Sequence, residues 1–339
     1  MTTQYATLVT REHKGRKGAL LKISNPCSKV DTLPFEALKE IRRALDDIHA
    51  DSSLDFAIFY GEQKKIHAGA DISLFAGDID PLIVHDYLMA GADLDLSIKS
   101  LGITTVAIMQ GECYGGSVEW PLMAERRVCT PETAMQFSEV NIGLIPGWCG
   151  ALNMLLRSNK ENALYLAATG NRASAEEMLA AGIVSRICPE DSVMEGALDV
   201  ANAIQPTNGV KTLSTLAETR KVIAARTDAQ RYQALSDEIS QKKARGELSN
   251  DKKADNHIGK YATKRLNELG RPVAPLAVSA LFKLIEKYAN ISLNDAELIR
   301  EMAHYEAELC FQLMSTADRR TGINSILAND PVIPVYIGK

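Results

Sequence analysis

The sequence predicts an α/β protein built from recurring strand–turn–helix units. Two apolar runs, Phe56–Tyr60 and Thr104–Met109, read as buried strands. Each ends in a turn of small residues: Ala68-Gly69-Ala70 after the first, Gly111 to Gly116 after the second. Each turn leads into a helix-like segment, at Asp71 and just before Glu119. Alternating strands and helices favour an α/β arrangement.

The remaining elements follow in order. Tyr5–Thr10 and Lys17–Ile23 flank HKGRKG and read as a β-hairpin, with Asn25-Pro26 ending the second strand. Leu33–Ala50 has helical spacing (Leu38, Ile41, Leu45, Ile48) and a charged outer face. Residues 81–100 form an amphipathic helix. Ala151–Arg157 and Asn162–Leu166 are helical, and Ser174 starts a helix with Glu176 and Glu177 in its first turn. Ile183–Cys188 reads as a short strand and Met194–Ile204 as a helix. From about Lys211 to Leu269 the chain turns charged, with helical periodicity. Pro272 and Pro275 punctuate a boundary; Leu276–Tyr288 and Asp295–Met314 are amphipathic helices, and the tail is irregular.

Composition narrows the function classes. With 339 residues and 46% hydrophobic content the chain can bury a substantial core, as one large domain with an appendage. A net charge of −5 leaves no electrostatic footprint for nucleic acid. The basic cluster from Lys242 to Arg265 reads as a solvated helical face, with phosphate contact as the lesser alternative. No apolar run approaches the roughly 20 residues that span a bilayer, so no membrane partner is expected. Six scattered cysteines, without a CxxC pair or a His at ligand spacing, indicate free thiols and no metal. The N-terminal stretch has no apolar signal core, and the cytoplasm is the expected compartment.

Chemistry concentrates between Met109 and Leu155. Gly115 and Gly116 let the chain turn sharply and let a ligand approach the backbone. The N–H groups that open the next helix lack intrahelical acceptors and favour negative charge. Such donors suit an oxyanion that develops during reaction. Glu119 stands within a helical turn of that position, and Glu139 follows twenty residues on in SEVNIGLIPG. A carboxyl there is tolerable if protonated or hydrogen-bonded, which suits general acid/base work. From these residues alone, a packing turn with two solvated glutamates stands as the other reading.

Taken together, the motifs resemble the enoyl-CoA hydratase/isomerase (crotonase) family. IHAGADISLF (66–75) is similar to the family's F-x-A-G-A-D segment, and IMQGECYGGSVEWPLMAERRV (108–128) to its glycine-rich block. SEVNIGLIPGWCGALNMLLR (138–157), TGNRASAEEMLAAGIVSRICP (169–189) and FQLMSTADRRTGINSIL (311–327) match later motifs in order. The resemblance covers roughly 5–204 and 272–330. It implies a spiral of ββα units over 1–204, a charged helical insertion over 205–271, and a C-terminal helical region, 272–339, that serves trimer assembly. A homotrimer or a dimer of trimers is the implied assembly, and an acyl-CoA thioester the implied substrate, with coenzyme A part of it and no separate cofactor.

By motif position, the backbone N–H groups of Ala70 and Gly116 would form the oxyanion hole. Glu119 and Glu139 would be the catalytic pair for adding water to a 2-enoyl-CoA: Glu139 activates the water and Glu119 relays the proton delivered to Cα. Ser28, Lys29, Val30, Lys65 and Ala68 fall where the family's backbone contacts coenzyme A, and Trp148 is expected to wall the pocket. The alternatives are another reaction of the family (thioester, ring-opening or C–C bond hydrolysis, or isomerisation) or a silent CoA-binding scaffold.

Several positions depart from the pattern. Ser117 stands where a third glycine is usual and would narrow the pocket floor or add a hydroxyl. Glu112 puts a third carboxylate on the loop and is expected to be solvated or to act indirectly. Cys149 replaces a glycine. Cys113 and Cys149 are expected to be buried hydrophobes, yet close enough to the site to meet alkylating agents. His67 lies near the implied hole, where a packing or surface role outweighs a catalytic one. Segment 205–271 sits where some longer acyl-CoA hydrolases of the family also carry insertions, which leaves the particular substrate and reaction open.

Overall fold

A computed structural model describes residues 4–27, 32–61, 69–75, 80–203, 209–327 and 333–339. The chain opens with an antiparallel hairpin, β1 (Ala6–His13) and β2 (Arg16–Ile23). Lys14 and Gly15 join them, both at positive φ (51° and 76°), the geometry that suits the strands' twist in a two-residue turn.

A two-strand-plus-helix unit then repeats. It runs first from β2 through β3 (Thr32–Leu33) to α1 (Phe35–Ala50), then from β4 (Phe56–Gly61) through β5 (Gly69–Ala70) to α2 (Pro81–Lys99). The third pass is β6 (Thr104–Met109), β7 (Glu112–Tyr114) and α3 (Gly116–Met123); the fourth is β8 (Arg126–Cys129), β9 (Ala134–Gln136), α4 (Gly150–Arg157) and α5 (Lys160–Thr169). β10 (Arg172–Ser174), α6 (Ala175–Ala180), β11 (Arg186–Ile187) and α7 (Val193–Asn202) complete the spiral.

The first strands of successive units line up as one six-stranded sheet, β1-β2-β4-β6-β8-β11, parallel after the hairpin. The second strands pair among themselves, β3 with β5 and β7 with β9, with β10 beyond β9.

Alternate residues of the large sheet face opposite ways. Leu20, Phe56, Ile58, Val106, Ile108 and Val128 pack on Ala197, Leu198 and Ala201 of α7. Leu21, Ala57, Phe59, Ala107 and Met109 face the main core. Burial on both faces explains why these strands appear in the sequence as unbroken apolar runs.

Three expectations are corrected. The glycine turn from Gly111 to Gly116 contains β7, whose exposed–buried–exposed triplet is too short to show a pattern until β9 pairs with it. The helix expected at Asp71 is a single 3-10 turn, Ile72–Phe75. Of Ile183–Cys188, only Arg186 and Ile187 join the sheet.

Beyond the spiral come α8 (Leu216–Arg226), α9 (Ala229–Ala244), α10 (Ile258–Leu269), α11 (Pro275–Lys287), α12 (Ala296–Leu313) and α13 (Ala317–Leu327). Tyr232, Leu235 and Ile239 of α9 and Ile258 and Ala262 of α10 form a small core, joined by Ile333 of the tail. Part of the basic cluster is paired at the surface: Lys242 and Arg245 with Glu247, Arg265 with Glu238 and Glu268. That is the solvated face expected. Among the described residues no helix is long and apolar enough to cross a membrane.

Candidate active site

The site forms where β5 meets the start of α3. Gly115 caps α3 at φ 56° and Gly69 sits at φ 78°, both in the region glycine favours. The contact is too close for side chains. A Cβ on Gly69 would lie 2.4 Å from the Ser117 nitrogen, and one on Gly116 would lie 2.8 Å from the Ala70 nitrogen. The glycines therefore bring the amide of Ala70 beside that of Gly116, the first residue of α3, whose N–H has no acceptor within its own helix.

Glu119 lies in the first turn of α3 and is 4% exposed. Its Oε1 accepts the main-chain N–H groups of Trp148 (2.7 Å) and Gly150 (3.2 Å). Glu139 opens the 3-10 turn Glu139–Ile142 and is likewise buried. A Cβ on Gly115 would lie 3.1 Å from its Oε1, so this glycine also makes room for the second carboxyl. Among the described residues, neither side-chain oxygen of Glu139 has a hydrogen-bond partner.

Burial dominates the electrostatics. It holds the Glu119 carboxyl well above the ordinary range, reinforced by the charge of Glu139 and opposed by the backbone N–H groups at 147–150. Burial pushes Glu139 up to about 7, with Glu306 adding repulsion. Each carboxyl therefore keeps its proton to a higher pH than a solvated glutamate would.

Trp148 is placed beside this pair, fully buried against Tyr87 of α2 with ring centroids 5.1 Å apart. α13 reaches both sides of the site. Arg319 Nη1 donates to the Phe75 carbonyl at 3.0 Å, beyond β5, and a Cβ on Gly143 would lie 2.5 Å from the Arg319 nitrogen. Ser28, Lys29, Val30, Lys65, His67 and Ala68 lie outside the described residues.

A family model described as enoyl-CoA hydratase/isomerase matches residues 22–336. The chain belongs to the enoyl-CoA hydratase/isomerase family. Solved structures of the family share its fold. An enoyl-CoA hydratase from Rhodobacter sphaeroides 2.4.1 aligns at TM-score 0.66 and 20% identity, covering 98% of this chain and 93% of its own. A carnitinyl-CoA dehydratase from Mycobacterium thermoresistibile aligns at 0.64 and 21%, covering 95% and 90%. An enoyl-CoA hydratase from Bacillus halodurans aligns at 0.59 and 14%, covering 94% and 99%.

The departures from the family's motifs have local explanations. The Ser117 hydroxyl accepts the Tyr114 N–H (2.6 Å) and donates to the Tyr114 carbonyl (2.8 Å), so it closes its own loop. Glu112 is exposed and bonded through both oxygens to Arg172, at 3.2 and 2.5 Å. Cys149 takes over the glycine's positive φ, at 67°. Cys113 and Cys149 are both buried; burial pushes the first thiol up to about 12 and the second well above its usual value. Access and thiolate are therefore both missing, which corrects the expected reach of alkylating agents.

One carboxylate of the site went unnoticed in the sequence. Glu306 of α12 is fully buried and accepts the N–H groups of Ala151 (2.8 Å) and Leu152 (2.9 Å). A signal was present: Ile299, Met302, Ala303, Ala307 and Cys310 make the buried stripe of α12, and Glu306 falls on it.

Proposed function

We propose that the protein adds water across the double bond of a 2-enoyl-CoA thioester, or runs the reverse elimination. The observation that carries this reading is the unequal setting of two buried carboxyls beside a pair of backbone amides. Glu119 is held by two N–H groups, whereas both oxygens of Glu139 have no hydrogen-bond partner among the described residues. A bound water is the natural partner for the latter.

In this reading the thioester carbonyl accepts the N–H groups of Ala70 and Gly116. As water attacks Cβ, negative charge moves onto that oxygen, and each well-placed donor contributes about 3–4 kcal/mol to the transition state. Glu139, ionised, takes the proton of the attacking water. Glu119, protonated on the oxygen not held by the backbone, delivers a proton to Cα. The hydrogen bonding supports this division, because one Glu119 oxygen is tied to the Trp148 and Gly150 N–H groups while the described residues leave the Glu139 oxygens open to a water. One proton is taken and one given, so the pair keeps its total charge.

Coenzyme A would lie along Ser28–Val30 and Lys65–Ala68, with Trp148 behind the acyl end. A trimer or dimer of trimers in the cytoplasm completes the reading; light scattering measures the assembly. Hydrolysis and isomerisation would use the same hole. Two of the features that favoured them, Ser117 and Glu112, are now occupied locally by Tyr114 and Arg172.

The test is loss of the enoyl-thioester absorbance of crotonyl-CoA with wild type, Glu119→Gln and Glu139→Gln. Hydration by wild type, with each variant slower by about 100-fold or more, supports the reading. Release of free thiol instead would replace it with a hydrolase. Binding without turnover across short, long and cyclic enoyl-CoAs would replace it with a scaffold.

A further inference from the structure

α4 begins without a side-chain cap. Its N-cap residue, Cys149, sits at φ 67° and supplies no oxygen to the helix. The first N–H groups of a helix need acceptors, and here two buried carboxylates divide them. Glu119 takes the N–H of Gly150, while Glu306 takes those of Ala151 and Leu152, one on each oxygen. Glu306 arrives from α12, 155 residues downstream of Ala151. One turn further along α12, Cys310 packs on the same loop: a Cβ on Gly147 would lie 3.1 Å from its Sγ.

We propose that Glu306 is a positioning residue for Glu119, acting through the first turn of α4. This rests on the reading of Glu119 as a reacting group. Burial holds the Glu306 carboxyl well above the usual carboxylate range, opposed by the N–H groups of Ala151 and Leu152 and reinforced by Glu119 and Asp95. Asp95 has its own partners, Lys99 and Asn153. Glu306 is bonded instead to main chain, so its effect is exerted on the backbone. Without it, the N–H groups of Ala151 and Leu152 would be left with Glu119, already bonded to the Gly150 N–H, as the carboxyl at the same helix start. They would draw its carboxyl toward the α4 axis and away from the reacting carbon. With Glu306 in place, the N–H groups of Trp148 and Gly150 hold Glu119.

Glu306→Ala, Glu306→Gln and Glu306→Asp test this, beside Glu119→Gln, in the full chain. Two readouts are taken: turnover of crotonyl-CoA, and hydrogen–deuterium exchange of peptides spanning 147–153 and of the β1–β2 hairpin as a remote control. Glu306→Ala should lower kcat about 10- to 100-fold with KM changed less than about 3-fold, since a small misplacement of a reacting group has that scale of effect. Exchange should rise at 147–153 and stay unchanged in the hairpin. Glu306→Gln, which keeps the length and one acceptor, should recover much of both, and it serves if the alanine variant does not fold.

Exchange at 147–153 and kcat both unchanged in Glu306→Ala, or in the shortened Glu306→Asp where the alanine variant does not fold, overturns the proposal. So does a uniform rise that includes the hairpin, the mark of a residue acting only on stability. If wild type leaves enoyl-CoAs untouched, or Glu119→Gln stays active, the hydratase reading fails by itself. The exchange data still report whether Glu306 holds the α4 start.

Discussion

Gly91 of α2 and Trp148 are in contact with no room for a methyl group between them. A Cβ on Gly91 would lie 1.9 Å from the indole Cδ1 and 2.2 Å from Nε1. The main chain of Trp148 holds Glu119, so this contact ties α2 to the buried carboxyl of Glu119. Gly91→Ala should destabilise the fold by about 1–3 kcal/mol, the usual cost of overpacking, and should lower kcat. Trp148→Leu in that background should restore part of the stability, because residues in contact are not additive. Denaturant titration of the four members of the cycle measures the coupling; strict additivity would remove the contact from the account.

The buried carboxyls make stability depend on pH in a definite direction. A carboxyl whose pKa is raised on folding binds its proton more tightly in the folded state. Its contribution is full below the ordinary value of 4.5 and is lost as the pH rises through about 7. For Glu139 alone the loss is roughly 3 kcal/mol. Unfolding free energy should therefore fall between pH 5 and pH 8, and Glu139→Gln should flatten that slope. Equal slopes for both proteins would show that Glu139 does not titrate as described.

Thiol reactivity should divide the cysteines sharply. Cys27 is exposed, and Cys113, Cys129, Cys149, Cys188 and Cys310 are buried. Ellman's reagent should find one fast thiol in the native protein and six after denaturation. Cys27→Ser should abolish the fast phase. A fast phase that survives this change would mean that one of the site's cysteines is open to solvent.

The tail of the chain supports the second carboxyl. The Tyr336 hydroxyl donates to the Asn141 carbonyl, within the turn that Glu139 opens. Asn141 Nδ2 donates to the Pro272 carbonyl at 2.9 Å, and the Ala274 N–H donates to the Val140 carbonyl at 2.9 Å. Tyr336→Phe should cost about 1 kcal/mol of stability and lower kcat several-fold, with little change in KM. Unfolding midpoints and steady-state kinetics check the two effects separately.

Much of the spiral was legible before any coordinates. β4 and β6 are buried on both faces, so FAIFY and TTVAIM stand out as apolar runs. α1 shows its core face through Leu38, Ile41, Leu45 and Ile48 at helical spacing. The second strand of each unit was hidden. β3, β5, β7 and β9 are two or three residues long, below the length at which alternation can be seen, and they exist because the previous turn of the spiral lies alongside.

The site divides along the same line. Glu119 was marked by its place just after a glycine turn and Glu139 by its own motif, SEVNIGLIPG, both local signals. The hold on Glu119 by Trp148 and Gly150, the burial of Glu139, and the approach of Glu306 from α12 depend on segments up to 187 residues apart in number, Glu119 to Glu306. By itself, the sequence determined which backbone turns were possible and where the carboxyls sit along the chain, because glycine conformation and hydrophobic period are properties of neighbours. Only the tertiary structure decided which carboxyl is held, which is left open and which is shared with a helix end. Those outcomes depend on burial and on main-chain N–H groups delivered from distant segments, and no local pattern records them.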